Sequence, residues 1–308
     1  MLLDWLLGDP RWFPHPVVGV GKVISFLEPR LRRLVRSELL GGVLLLVLTV
    51  GTTVLAAWLA VAGGYAVSRW GGLAVSVVLS WSCLAARSLH GESGLVARAL
   101  AAGDLPQARK MLGRIVGRDT DGLEEGEIWR GGVETVAENA SDGVIAPLLF
   151  LMLGGPVLGL AYKSVNTLDS MVGYKSDKYL LFGRASARFD DLLNFIPARL
   201  TGLLMTLSAP LLGLSMAGAW RIMVRDGGNH SSPNSGIPEA AAAGALGVRL
   251  GGTNLYFGKP VEKPTIGDPL RPLERQGWIG AVRLMYGAEI LLLAGWGAVS
   301  SVCLGTGI

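Results

Sequence analysis

Residues 39–68 read LLGGVLLLVLTVGTTVLAAWLAVAGGYAVS, a run of 30 positions without Asp, Glu, Lys or Arg. A helix needs about 20 consecutive apolar residues to cross a bilayer, within a range of about 17–25. The run therefore predicts a membrane-spanning helix and sets the fold class of the chain.

Four further uncharged runs raise the number of predicted spans to as many as five. Pro147 and Pro156 interrupt the third run, and Pro210 interrupts the fourth, so these two are predicted to be broken or re-entrant. The four runs cover residues 70–86, 143–162, 200–220 and 290–308.

Composition agrees with a membrane protein. Half of the residues are apolar, 17% are charged and the mean hydropathy is +0.45, whereas a soluble domain carries about 25% charged residues. Strand signals are weak, so we predict an all-α, polytopic integral membrane protein with about 4–5 hydrophobic helices. It is predicted to form one membrane-embedded domain over residues 1–308, with a soluble helical insert at about 87–142 and polar segments at 163–199 and 221–283.

The net charge of +4 is better explained by basic cytoplasmic segments than by a nucleic-acid partner. Four arginines between residues 30 and 36 precede the first run and predict a cytoplasmic N-terminal side. The insert is then cytoplasmic too. We expect a multi-pass protein of the cell (inner) membrane that contacts the lipid bilayer, with no nucleic-acid partner.

The insert contains a predicted helix–turn–helix at residues 95–116, joined at Gly103–Pro106, where Asp104 can cap the second helix. Cys83 and Cys303 both lie in apolar surroundings, which favours buried thiols over a disulfide or a metal site.

The first polar motif, ETVAENASD at residues 134–142, ends where an uncharged run begins. Glu134 and Glu138 share one helical face, and Asp142 extends it if the helix continues. Carboxylates stacked in this way repel each other unless a cation lies between them, and Mg²⁺ prefers oxygen ligands. The alternative is an exposed acidic end of a helix.

Two further motifs combine acids, amides and bases in the same way. In YKSVNTLDSMVGYK, at residues 162–175, Asn166 and Asp169 are flanked by lysines. In ARFDDLLNFIPARL, at residues 187–200, Asp190 precedes Asn194 by four positions and two arginines bracket them. Such oxygen ligands beside cations suit a metal-bound phosphate, and we expect the three motifs to share one polar site. The alternative is a set of ordinary loops beside a basic membrane surface.

A fourth segment, HSSPNSGIPEAAAAG at residues 230–244, predicts a loop followed by a helix that starts near Pro238 with Glu239 in its first turn. Free N–H groups at such a start can bind an anion, although a plain loop and helix cap fits equally well. The histidines have no zinc-type spacing, and no nucleophile elbow or dinucleotide fingerprint occurs.

Together these blocks are recognisable. The chain resembles the adenosylcobinamide-phosphate synthase family of cobalamin biosynthesis over about residues 3–268. The resemblance is carried in order by LLGDPRWFPHPVVGVG (6–21), GRDTDGLEEGEIWRGGVETVAENASDGVIAPLLF (117–150), YKSVNTLDSMVGYK (162–175), FGRASARFDDLLNFIPARLTGLL (182–204) and SPNSGIPEAAAAGALGVRLGG (232–252).

The resemblance implies an ATP-dependent amide ligase that uses Mg²⁺. Such an enzyme joins adenosylcobyric acid, a corrinoid, to (R)-1-aminopropan-2-ol or its O-phosphate through an acyl phosphate. Other enzymes of the cobalamin pathway are the protein partners it implies, and the active site is expected on the cytoplasmic side.

Candidate roles follow from the resemblance and the motifs together. The predicted catalytic residues are Glu134, Glu138, Asp169 and Asp191. The predicted substrate- or phosphate-binding residues are Lys163, Lys175, Arg188, Arg199, Ser232 and Asn234. The predicted metal ligands are Glu138, Asp142, Asn166, Asp169, Asp190, Asp191 and Asn194.

Three other functions remain open from the residues. The Asp/Asn motifs also fit an intramembrane transferase that acts on a Mg²⁺–diphosphate. Intramembrane acids and broken helices fit a transporter, although clear inverted repeats are lacking. A non-catalytic membrane signalling branch resembles the same family more loosely.

Overall fold

The computed structural model describes residues 1–10, 12–174, 176–256 and 258–306. Within these ranges it describes the side chains up to residue 301. The described chain is mainly α-helical with only a few short strands, which confirms the predicted all-α class. It groups into two compact units. Unit 1 comprises Met1–Arg87 and Ala146–Asn194, and unit 2 comprises Ser88–Ile145 and Phe195–Ile308.

Unit 1 is built from long helices that pack around the side chains of Ile24, Leu45, Leu168 and Phe182. Its helices are α1 (Leu2–Leu7), α2 (Pro16–Leu34), α3 (Glu38–Val67), α4 (Arg69–Trp81), α8 (Ala146–Val172) and the first part of α9 (Arg184–Ser208). Ser37 caps α3 and Ser68 caps α4 through their side-chain oxygens, so each long apolar helix begins at a polar residue.

Unit 2 combines helices with two short antiparallel sheets of two strands each. Its helices are α5 (Ala86–Ala101), α6 (Leu105–Leu112), α7 (Glu125–Asn139), the end of α9, α10 (Met216–Asp226), α11 (Gly236–Leu246) and α12 (Arg275–Thr306). Strand β1 (Leu250–Gly251) pairs antiparallel with β4 (Thr265–Ile266), and β2 (Asn254–Tyr256) with β3 (Lys259–Val261). In the insert, Asp104 caps α6 by accepting from Gln107 N, as predicted.

Four segments of the described chain are long and apolar enough to cross a membrane, which indicates a membrane protein. They are Glu38–Val67, Arg69–Ala101, Glu125–Val172 and Arg275–Ser301. The second and third extend into α5 and α7, two of the three helices in the predicted insert.

Both runs that were predicted to be broken are interrupted. In α8, Gly154 and Gly155 leave the helical conformation immediately before Pro156, and Gly155 has a φ of 62°. In the run at 200–220, α9 ends at Ser208, a 3₁₀ turn occupies Pro210–Leu212, and Gly213 has a φ of 71°. Proline lacks an N–H and cannot continue the hydrogen-bond ladder, so the run at 200–220 is not a single spanning helix.

Cys83 is a buried free thiol, as predicted. The side chain of Cys303 lies outside the described residues.

A close approach between α3 and residue 182 gives a first prediction, for Gly42→Ala. A Cβ at Gly42 would collide with the backbone carbonyl of Phe182, whereas a Cβ at Gly51 on the same helix has nothing within 4 Å. Overpacking of this kind costs about 1–3 kcal/mol. We expect Gly42→Ala to lower the thermal unfolding midpoint in detergent, and Gly51→Ala to leave it unchanged or raise it slightly. Equal midpoints for the two variants would contradict this packing.

Candidate functional site

A chain of side-chain hydrogen bonds links α8 and α9 in unit 1. Tyr162 Oη donates to Asn194 Oδ1 at 2.8 Å, and Asn194 Nδ2 donates to Asp190 Oδ2 at 2.9 Å. On the other side, Asn166 Nδ2 donates to Asp190 Oδ1 at 3.5 Å, and Lys163 Nζ donates to Asn166 Oδ1 at 3.4 Å. Asp190 is therefore the acceptor at the centre of this polar chain.

The Asp190 carboxylate is desolvated, with 7% of the residue exposed. Burial raises the pKa of Asp190 to about 6, and the neighbouring Asp191 adds to this. The amides of Asn194 and Asn166 and the charge of Lys163 act in the opposite direction. A carboxylate in this position gains from any cation that comes to it, because a positive charge offsets the cost of desolvation.

The other predicted residues of unit 1 are nearby in sequence but less enclosed. Asp169 and Asp191 are half-buried, and Arg188 is exposed. Lys175 lies outside the described residues. Tyr162 was not predicted, although it lies four positions before Asn166 and therefore on the same face of α8.

Unit 2 contains a cavity of about 140 Å³ whose wall is mainly polar. Helix α7 supplies Glu134 and Glu138 to this wall, as the four-residue spacing predicts. The rest of the wall includes Arg118, Thr135, Asn139, Asn229, His230, Glu239, Gly251, Asn254, Tyr256 and Lys263.

Glu134 is fully engaged by neighbouring donors. Its Oε2 accepts from Arg118 Nη1 at 2.8 Å, its Oε1 accepts from Gly251 N at 2.8 Å, and Arg130 Nε lies 3.8 Å from Oε1. Glu134 thereby connects α7 to strand β1, which gives it a structural role. Its predicted catalytic role stays a prediction.

Arg118 is the buried partner in this tie, with 6% of its side chain exposed. Its Nη1 also donates to Asn254 Oδ1 at 2.6 Å, and Asn254 Oδ1 accepts from Arg130 Nη2 at 3.0 Å as well. The Nε and Nη2 groups of Arg118 are buried without a hydrogen-bond partner among the described residues. The guanidinium therefore depends on Glu134 for its charge compensation.

The carboxylates of Glu138 and Glu239 have fewer hydrogen-bond donors around them than that of Glu134. Glu138 Oε1 accepts from Ser235 Oγ at 2.9 Å. Glu239 is 4% exposed, and its nearest described partner is His230 Nε2 at 3.9 Å, beyond hydrogen-bond distance. Burial raises the pKa of Glu239 well above its usual value, and the charges of Glu138 and Glu134 raise it further.

The loop before α11 has its own hydrogen-bond network. Ser232 Oγ accepts from the backbone N–H groups of Asn234 and Ser235, at 3.2 and 3.4 Å, and Arg199 Nη1 donates to Asn234 Oδ1 at 3.3 Å. Helix α11 begins at Gly236 with Glu239 in its first turn, as predicted. Two of the N–H groups that were expected to bind an anion are thus already bonded, and the phosphate-binding role of Ser232 and Asn234 stays a prediction.

Asp142 departs from the expected helical face. Residues Ala140–Ile145 form a π-helical turn between α7 and α8. The wider turn rotates the positions that follow it, and Asp142 is not part of the described wall that Glu134 and Glu138 line. The α-helix does not continue through Asp142, and the predicted role of Asp142 as a metal ligand stays a prediction.

Among the described residues, no group of three or more His, Cys, Asp or Glu side chains is arranged to hold a metal ion. The predicted set also includes the amides of Asn166 and Asn194, and its role in metal binding stays a prediction. Sequence reasoning also missed Arg118, His230 and Glu239. The one available signal was an acid placed directly before the small-residue run AAAAG, where its burial could have been anticipated.

Comparison with known proteins identifies the family. The family model described as CobD/Cbib protein matches residues 1–285. The chain belongs to the CobD/Cbib family. This confirms the resemblance to the adenosylcobinamide-phosphate synthase family and the connection with cobalamin biosynthesis.

Individual members of the CobD/Cbib family match over nearly the whole chain. The cobalamin biosynthesis protein CobD of Geobacter metallireducens is 72% identical, over 95% of this chain and 92% of that protein. CobD of Pelobacter propionicus is 58% identical, over 95% and 90%. The cobalamin biosynthesis protein CbiB of Salmonella arizonae is 47% identical, over 95% and 93%. No solved structure matches the chain significantly.

Proposed function

We propose that this member of the CobD/Cbib family is an ATP-dependent amide ligase. It joins a carboxylate of adenosylcobyric acid to the amine of (R)-1-aminopropan-2-ol or its O-phosphate. The observation that supports this most is the series of side-chain hydrogen bonds that links Lys163, Asn166, Asp190, Asn194 and Tyr162. It places oxygen ligands and a cation around the buried Asp190.

The donor set fits Mg²⁺ bound together with a nucleotide. Mg²⁺ usually keeps several waters and takes one or two carboxylates plus substrate phosphates. Asp190, Asn166 and Asn194 carry the ligand type of that pattern, and the lack of a cage of three acids among the described residues is compatible with it. The two amide oxygens accept from Lys163 and Tyr162 in this structure, so Mg²⁺ binding would replace those hydrogen bonds. Bound Mg²⁺ would neutralise charge on the phosphates and draw electron density from the phosphorus that is attacked.

The reaction needs two displacements. A carboxylate oxygen attacks the γ-phosphorus of ATP, and ADP leaves with the electrons of the broken P–O bond. The amine nitrogen then attacks the acyl carbon, inorganic phosphate leaves, and the amine loses a proton. The products are the amide, ADP and phosphate.

We propose roles for the hydrogen-bonded residues of unit 1 and for the other predicted site residues. Lys163 offsets negative charge on the transferred phosphoryl group, and Asn166, Asp190 and Asn194 are metal ligands. Asp169 and Asp191 are proposed as further ligands, and Arg188 and Arg199 as phosphate clamps. Of the two predicted roles of Glu138, we propose the catalytic one, acceptance of the proton from the amine. The reaction is placed on the cytoplasmic side of the inner membrane, where other enzymes of the pathway would supply the corrinoid.

The proposed function is tested by incubating the detergent-purified protein with ATP, Mg²⁺, adenosylcobyric acid and either amine. We expect a corrinoid product whose mass corresponds to condensation with loss of water, formed together with ADP and only when all components are present. Turnover of a prenyl diphosphate without ATP would identify a transferase instead. A protein that consumes no ATP in the presence of the corrinoid acid would be a transporter or signalling relative.

A further inference from the structure

Among the described residues, no lysine or arginine forms an ion pair with two of the carboxylates of the cavity in unit 2. Arg118 and Arg130 compensate Glu134, but Glu138 bonds only a neutral hydroxyl, that of Ser235. The side-chain carboxylate of Glu239 has no hydrogen bond to any described residue, although the residue is 4% exposed and lines the cavity. Burying a carboxylate without hydrogen-bond donors destabilises the folded protein unless a bound ligand supplies those donors.

His230 does not supply that charge. Its Nδ1 accepts the backbone N–H of Ser232 at 3.1 Å, which places the proton of the neutral ring on Nε2, 3.9 Å from Glu239 Oε1. Burial holds the pKa of His230 below its usual value, so the ring stays neutral near pH 7. Lys263 also lines the cavity, with its ammonium 5.5 Å from the centre of the Tyr256 ring.

The size and chemistry of the cavity restrict its ligand. Its volume of about 140 Å³ is enough for a molecule of a few carbon atoms. The two carboxylates favour a cation. A primary ammonium presents three N–H donors to separate acceptors.

We propose that the cavity is the subsite for the ammonium group of a small amino alcohol, with Glu239 and Glu138 as its two carboxylate acceptors. Asn139 and Thr135, on the same wall, are placed to bond the hydroxyl group. The assignment rests on the proposed function, since it makes this molecule the amine that the ligase joins to the corrinoid acid. Glu239 becomes a substrate-binding residue, and Glu138 binds the ammonium before it accepts its proton.

Calorimetric titration of the detergent-purified protein with 1-aminopropan-2-ol tests the subsite without turnover. Loss of a charged acceptor weakens binding by about 10- to 100-fold, so we expect this loss for Glu239→Gln and for Glu138→Gln. Glu262→Gln, at an exposed position, is the control and should bind as the wild type does. Propane-1,2-diol, which lacks the amine, should not compete.

Kinetics separate failure of the subsite from failure of the proposed function. If the protein is a ligase, Glu239→Gln should raise the KM for the amine and leave the KM for ATP unchanged. A ligase in which Glu239→Gln binds the amine normally, or loses Mg²⁺ binding instead, overturns the subsite and keeps the function. Amine binding that depends on Glu239 in a protein without ligase activity keeps the subsite and overturns the function. Thermal unfolding of both Gln variants checks that they are folded.

Discussion

Asp190→Ala is expected to reduce the rate of ATP-dependent amide synthesis by about 100- to 1,000-fold, the usual cost of removing one preorganised electrostatic contact to a reacting group. The carboxylate lies at the centre of the hydrogen-bond chain in unit 1, and its burial makes a compensating cation favourable. Initial rates at saturating ATP and amine, followed by the mass of the corrinoid product, measure the effect.

A matched control is Asp177→Ala, which removes an exposed acid from the segment between α8 and α9 and should keep full activity. Because Asp190→Ala leaves the amides of Asn166 and Asn194 without their acceptor, its thermal unfolding should be compared with that of the wild type. A folded Asp190→Ala protein with wild-type rates would contradict the proposed role. Full activity of both Asp169→Ala and Asp191→Ala would remove those two residues from the set.

Glu134→Ala is expected to lower the free energy of unfolding by about 3–5 kcal/mol, the cost of leaving a buried charge without its partner. Arg118 has 6% of its side chain exposed and loses its carboxylate in this variant, and Gly251 N loses its acceptor. Denaturant unfolding in detergent micelles measures the effect, with Glu262→Ala as an exposed control expected within about 0.5 kcal/mol of the wild type.

A double variant separates the ion pair from the other contacts of Glu134. Arg118→Met combined with Glu134→Leu replaces both charges by apolar groups, and such replacements are often neutral or stabilising. We therefore expect the double variant to recover much of the stability lost in Glu134→Ala. A Glu134→Ala variant as stable as the wild type would show that Glu134 does not hold α7 to strand β1.

Local patterns account for the parts of the fold that the sequence predicted. Hydropathy located the long helix α3, proline located the breaks at Pro156 and Pro210, and Asp104 marked the start of α6. Each of these signals affects the structure within a few residues of its own position, so it can be recognised in a single sequence.

The site was only partly predictable because several of its contacts join residues that are far apart in the sequence. The spacing of Asp190 and Asn194 gave one contact on α9, but Tyr162 lies 32 residues from Asn194. Arg118 meets Asn254 across 136 residues. The π-helical turn that displaces Asp142 has no signature in residue type. Tertiary packing decides these features, and neither spacing nor propensity encodes it.

The proposed acyl phosphate is tested most directly by following the oxygen atoms of the corrinoid carboxylate that reacts. Adenosylcobyric acid labelled with ¹⁸O in the reacting carboxylate would be incubated with the protein, ATP, Mg²⁺ and the amine, and the released phosphate would be analysed by mass. An acyl phosphate transfers one labelled oxygen to inorganic phosphate and leaves the other in the amide. Unlabelled phosphate, or label in AMP, would contradict the proposed mechanism.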